Sequence, residues 1–108
     1  MAVQKRNLLG LIQPQINQSV VDLINRRRRQ IMVHSVIYYR LGTSIIEDSL
    51  FDKWAYELVD LQNKYPNESA KADLYKEFKD WDGTTGFNLD YTGFLDKAEY
   101  LLKIYEVK

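Results

Sequence analysis

The stretch from Ser19 to Leu41 constrains this fold most, because it keeps a helical period for more than twenty residues before Gly42 interrupts it. Turning by about 100° per residue, Val20, Ile24, Ile31 and Tyr38 fall on one line, with Leu23, His34 and Leu41 beside it. Ser19-x-x-Asp22 offers a weak capping box at the start. From Ile31 onward the segment is apolar on several sides, which predicts a helix whose second half is the buried spine of the domain.

Three further helices are expected around that spine. One opens at Asp48 as N-cap, with Ser49 and Asp52 in or beside its first turn, carries Leu50, Phe51, Trp54, Leu58 and Leu61 on its apolar side, and stops at Pro66. Another covers about Ser69 to Lys79, with Leu74, Tyr75 and Phe78 inward. A turn-rich stretch from Trp81 to Asn88 contains Asp82-Gly83 and Thr85-Gly86. The last helix, about Thr92 to Glu106, turns Phe94, Leu95, Ala98, Leu101, Leu102 and Tyr105 inward. No five-residue segment alternates cleanly enough for a strand, so the expected class is all-α, with about four helices. The expected shared core is Ile31, Tyr38, Trp54, Leu58, Leu61, Leu101 and Leu102.

At 108 residues the chain is one domain's worth. Its organisation reads as an N-terminal arm over residues 1–15, a helical module over 16–66 and a C-terminal helical extension over 67–108. The absence of cysteine excludes disulfides, thiolate metal sites and cysteine nucleophiles, and a single histidine makes a histidine-rich metal site implausible. The apolar run Leu8-Leu9-Gly10-Leu11-Ile12 is shorter than a secretory core and ends at Gln13 and Pro14; a cytoplasmic location without membrane association is the expectation.

The zero net charge conceals two opposite halves. Residues 1–40 carry seven Lys/Arg against one acid, 7 − 1 = +6, and the remainder eight against fourteen, 8 − 14 = −6. Either the acidic part folds against the basic helix, or two faces of opposite sign are offered to different partners. Arg26 to Arg29 sharpen the question, since four consecutive helical residues sweep about 300° and cannot share one face. Arg27 falls on the apolar line, which predicts that it turns inward to an acid while Arg26, Arg28 and Arg29 stay exposed, available for a phosphate or a nucleic-acid backbone.

Residues 31–66 combine Tyr38-Tyr39, a short loop, Ile46-x-Asp48, Phe51-Asp52, Glu57-Leu58, Leu61 and Tyr65-Pro66. In that order they resemble the small helical module at the N-terminus of bacterial NAD-dependent DNA ligases. The resemblance implies that Tyr38, Tyr39, Asp48, Phe51 and Asp52 surround the nicotinamide mononucleotide (NMN) half of NAD. Aromatic faces suit a cationic nicotinamide ring, and carboxylates accept from ribose hydroxyls. Phe51 departs from the family, which usually has tyrosine there, and Gly42 stands where aspartate is frequent. The ending KEFKDWDGTTGFNLDYTGFLDKAEYLLKIYEVK is similar to the tail of short ligase-related proteins encoded by phages and prophages of Gram-positive bacteria. Capping and packing explain Asp48 and the tyrosine pair equally well without any ligand.

A ligase attacks its cofactor with the lysine of a Lys-x-Asp-Gly motif. Lys79-Asp80-Trp81-Asp82-Gly83 spaces lysine and aspartate one residue too far apart, and no catalytic residue is assigned. Three functions follow in order. The first is a non-catalytic, phage-type protein that binds NMN or NAD, or a host or phage protein of DNA replication, repair or defence. The second is an accessory protein making weak, non-specific nucleic-acid contacts through the arginines. The third is an enzyme that consumes NAD.

Overall fold

A computed structural model describes residues 15–106. Among them are five α-helices and one 3-10 turn, with no strand: α1 Gln18–Tyr39, α2 Asp48–Lys64, α3 Pro66–Lys71, α4 Tyr75–Phe78, the 3-10 turn Thr92–Phe94, and α5 Leu95–Glu106. The all-α class holds. The arm expected over residues 1–15 lies, Gln15 apart, outside the described residues.

Helix α1 is the central element and packs against α2, α3, the 3-10 turn and α5. Its cap lies two residues before the expected one, at Asn17 rather than Ser19; the Asn17 carboxamide oxygen accepts from the Val20 N–H at 3.4 Å. Its buried stripe is Val21, Ile24, Arg28, Ile31 and Ser35, alternating steps of three and four, with Met32, Val36 and Ile37 widening the apolar face. The stripe therefore lies beside the line expected from the apolar residues. Two of its members are polar, and an apolar count passes over them.

That displacement corrects the arginine assignment. Arg28, expected at the surface, is fully buried. Its guanidinium donates to Gln62 Oε1 at 2.9 Å, to the Asp73 carbonyl at 2.7 Å, and to the Ser69 carbonyl and Oγ at 3.1 and 2.7 Å. The charge also lies 5.9 Å from the Phe78 ring centroid. Burial lowers its pKa to about 10, which leaves it protonated at neutral pH. Arg27 is half-buried and, as expected, pairs with an acid of the C-terminal part, Glu57 at 2.6 Å, while Arg29, expected free, pairs with Asp73 at 2.7 Å. Arg26 is exposed.

Helix boundaries differ from expectation in three other places. Glu47, not Asp48, is the N-cap residue of α2, and its side chain makes no capping bond. Pro66 ends α2 but also begins α3 as its first residue, where the missing N–H costs nothing. The single helix expected over 69–79 is broken, because Leu74 takes a left-handed conformation at φ 65°. Around that break, Asn25 Oδ1 accepts from the Asp73 N–H at 2.7 Å and Glu68 Oε2 from the Asn17 N–H at 2.9 Å. Polar side chains thus tie the 68–73 segment to α1.

Of the expected core, Ile31 and Leu58 are fully buried, and Trp54, Leu61, Leu101 and Leu102 are half-buried. Tyr38 is 56% exposed, since α1 ends there and the buried face runs through residues 35–37 instead. Of the residues expected inward near the C-terminus, Phe94 in the 3-10 turn and Ala98 on α5 are buried, but Leu95 and Tyr105 lie on the outside. No helix among the described residues is long and apolar enough to cross a membrane.

Candidate functional site

The connection from α1 to α2 is built from local hydrogen bonds. At the end of α1, the Arg40 and Leu41 N–H groups both donate to the Val36 carbonyl, at 2.8 and 3.1 Å, and the Thr43 N–H donates to the Ile37 carbonyl at 3.2 Å. Gly42 makes the reversal at φ 71°, in open space, so glycine is favoured there by conformation and not by crowding. The Ser44 hydroxyl then donates to the Ile46 carbonyl at 2.7 Å, and the Leu50 and Phe51 N–H groups donate to the Glu47 carbonyl to start α2.

This turn leaves a cleft of about 230 Å³ between the end of α1 and the start of α2. Tyr38, Tyr39, Asp48, Phe51 and Asp52, the five residues singled out by the ligase resemblance, all line it. Glu47 adds a third carboxylate to the same rim. His34 and Ser35 form part of the inner wall. The His34 ring lies 5.4 Å from that of Trp54, centroid to centroid, and its burial pushes the imidazole pKa below the ordinary 6.5.

Residues 84 and 85, far away in sequence, supply a third wall. Thr85 is the node that holds it. The Thr85 carbonyl accepts from Trp81 Nε1–H at 2.7 Å, and its hydroxyl oxygen accepts from the Phe87 N–H at 3.1 Å and pairs with the Tyr39 hydroxyl at 2.8 Å. The Phe87 ring meets that of Tyr39 edge-on at 5.4 Å, and Tyr38 meets Tyr39 similarly at 4.9 Å. Trp81, standing edge-on to Phe78, therefore anchors the turn and does not act as a free surface contact. Before it, Thr84 donates to Asp82 Oδ1 through both its N–H and its hydroxyl, which lowers the pKa of that carboxyl.

Gly86 is where the third wall touches α1. A Cβ at this position would stand 1.9 Å from Ser35 Oγ and 2.9 Å from Ser35 Cβ, so only glycine permits this approach. Ser35 itself is fully buried, and its hydroxyl has no hydrogen-bond partner among the described residues. Thr84, Thr85 and Ser35 were not anticipated as site residues. The Thr-Gly turn was visible in sequence, but its pairing with Tyr39 spans 46 positions and no local pattern encodes it.

The arginine cluster does not form a comparable site. Arg27, Arg28 and Arg29 spend donors on this chain's own acceptors, and Arg28 is inaccessible from solvent. Among the described residues there is no group of three or more His, Cys, Asp or Glu placed to hold a metal ion. The chain matches no protein-family model, no curated protein and no solved structure, so the case for any function rests on the residues of the cleft itself.

Proposed function

We propose that this chain is a non-catalytic binding protein, built on a scaffold like the NMN-recognition module of NAD-dependent DNA ligases, whose cleft takes the nicotinamide half of NAD or NMN. One observation carries the reading: Tyr38, Tyr39, Asp48, Phe51 and Asp52, drawn from two helices and chosen by resemblance alone, line a single cleft of about 230 Å³. Its chemistry suits the ligand. Aromatic rings can stack on a nicotinamide ring, and carboxylates can accept from ribose hydroxyls. The likeness of residues 76–108 to the tail of short phage-encoded ligase-related proteins supports a stand-alone module of that kind. The nucleic-acid alternative loses ground because three of its four arginines are engaged within the chain.

Affinity is expected to be weak, since Phe51 lacks the hydroxyl usual in the ligases. Calorimetric and NMR titration of the whole chain with NMN, NAD and a short DNA duplex tests the proposal. The expected responders are NMN and NAD, with shift changes at Tyr38, Tyr39, Asp48 and Asp52. Saturating NMN without shifts at those residues would sink nicotinamide recognition and leave only an inherited scaffold.

A further inference from the structure

The lining of the cleft contains three carboxylates, Glu47, Asp48 and Asp52, and no lysine or arginine. His34 does not compensate, because burial holds it neutral at pH 7. The N-terminal end of α2 does contribute positive potential, equivalent to about half an elementary charge. Three carboxylates at that same helix end outweigh it several-fold, so the field inside the cleft favours a cation and opposes a phosphate dianion.

Resting on the nicotinamide reading, we propose that the cleft selects by charge, binding the oxidised, cationic nicotinamide riboside moiety, leaving any phosphate in solvent and discriminating against the neutral reduced ring. Oxidised nicotinamide carries its positive charge in a flat aromatic ring, which is the shape that Tyr38, Tyr39 and Phe51 can face and the sign that the rim attracts. Reduction removes that charge while leaving size, amide and ribose in place. The protein would thereby respond to the oxidation state of the nicotinamide pool and be indifferent to the phosphate that distinguishes NMN from its riboside.

Titration of the whole chain with nicotinamide riboside, NMN and reduced nicotinamide riboside separates these terms, read by NMR shifts at Tyr38, Tyr39, Asp48 and Asp52. The oxidised riboside should bind at least as tightly as NMN, and the reduced riboside about tenfold more weakly, a ratio equivalent to about 1.4 kcal/mol. Equal affinity for the oxidised and reduced ribosides would overturn charge selection and leave the nicotinamide reading standing. So would NMN binding more than tenfold tighter than its riboside. No shift with any of the three would overturn both proposals together.

Discussion

Arg28 and Ser35 sit one heptad apart on the same buried stripe of α1, and both are polar residues with no accessible surface, yet their surroundings are opposite. Around Arg28 the structure closes completely. Gln62, Ser69 and the Asp73 carbonyl accept from its guanidinium, Gln62 in turn donates to the Phe78 carbonyl, and Phe78 supports the charge with its ring. Around Ser35 the closure is steric only, by Gly86. Its hydroxyl is unpaired among the described residues, carboxylates crowd the rim beyond, and the facing wall is a turn suspended from Thr85. A polar group whose bonding capacity is consumed inside the fold stabilises it, whereas one sealed under Gly86 without a partner costs stability. The same helix thus has a structural end and, on the proposed function, a receptive end beside the cleft.

The sharpest way to break this comparison is to remove Arg28. Arg28→Ala deletes four hydrogen bonds to buried or half-buried acceptors and leaves a cavity beneath the α3–α4 break, so a loss of about 3 to 5 kcal/mol in unfolding free energy is expected by chemical denaturation. A loss below about 1 kcal/mol would mean that the guanidinium does not hold these segments together. It would also return Arg28 to the surface, where a phosphate could reach it.

Next in size is Gly86→Ala, at the receptive end. The added methyl would stand 1.9 Å from Ser35 Oγ, so the 84–87 turn must back away from α1. Overpacking of this kind costs about 1 to 3 kcal/mol, and a Ser35→Gly change in the same chain should recover part of it by removing both atoms that clash. Trp81 and Tyr39 would register the displacement, because both are tied to Thr85. A fully stable Gly86→Ala chain with unchanged Trp81 fluorescence would mean that the third wall is not seated on Ser35.

How much of this was legible in sequence follows the same division. The helical class and the spine from Ile31 onward were read from local periodicity, whereas the five residues of the cleft were chosen only by the resemblance to the ligase module. What escaped depends on contacts distant in sequence. Arg28 was placed at the surface because only apolar residues were counted in fixing the helix face, whereas the true stripe includes Arg28 and Ser35 and lies about one residue further round. The break at Leu74 was invisible because its cause is tertiary: Arg28, Asn25 and Gln62 capture the 69–78 backbone from across the domain. Charge told half the story, since Arg27–Glu57 and Arg29–Asp73 pair the basic helix with the acidic remainder, while the acids of the cleft rim face no lining cation.

The smallest expected effect is a pH dependence from His34, and it sharpens where the structural end of α1 gives way to the receptive one. Burial lowers the imidazole pKa in the folded chain relative to the 6.5 of the exposed group. Below pH 6.5 the unfolded chain therefore binds more protons than the folded one, and stability must fall as the solution is acidified from that value towards the folded pKa. Well above pH 6.5 both states are neutral at this position and the contribution is flat. The carboxyls lowered by hydrogen bonds, Asp82 and Asp90, act in a separate window, since their contribution is lost only as pH falls through and below 3.8. Denaturation midpoints between pH 5 and pH 7.5 should thus decline on the acid side, and His34→Phe, which keeps an aromatic ring against Trp54, should flatten the profile. A wild-type profile that is already flat, or that rises towards acid, would mean that His34 keeps a hydrated or carboxylate-paired imidazole, and the inner wall of the cleft would then carry the cation that selection by charge excludes.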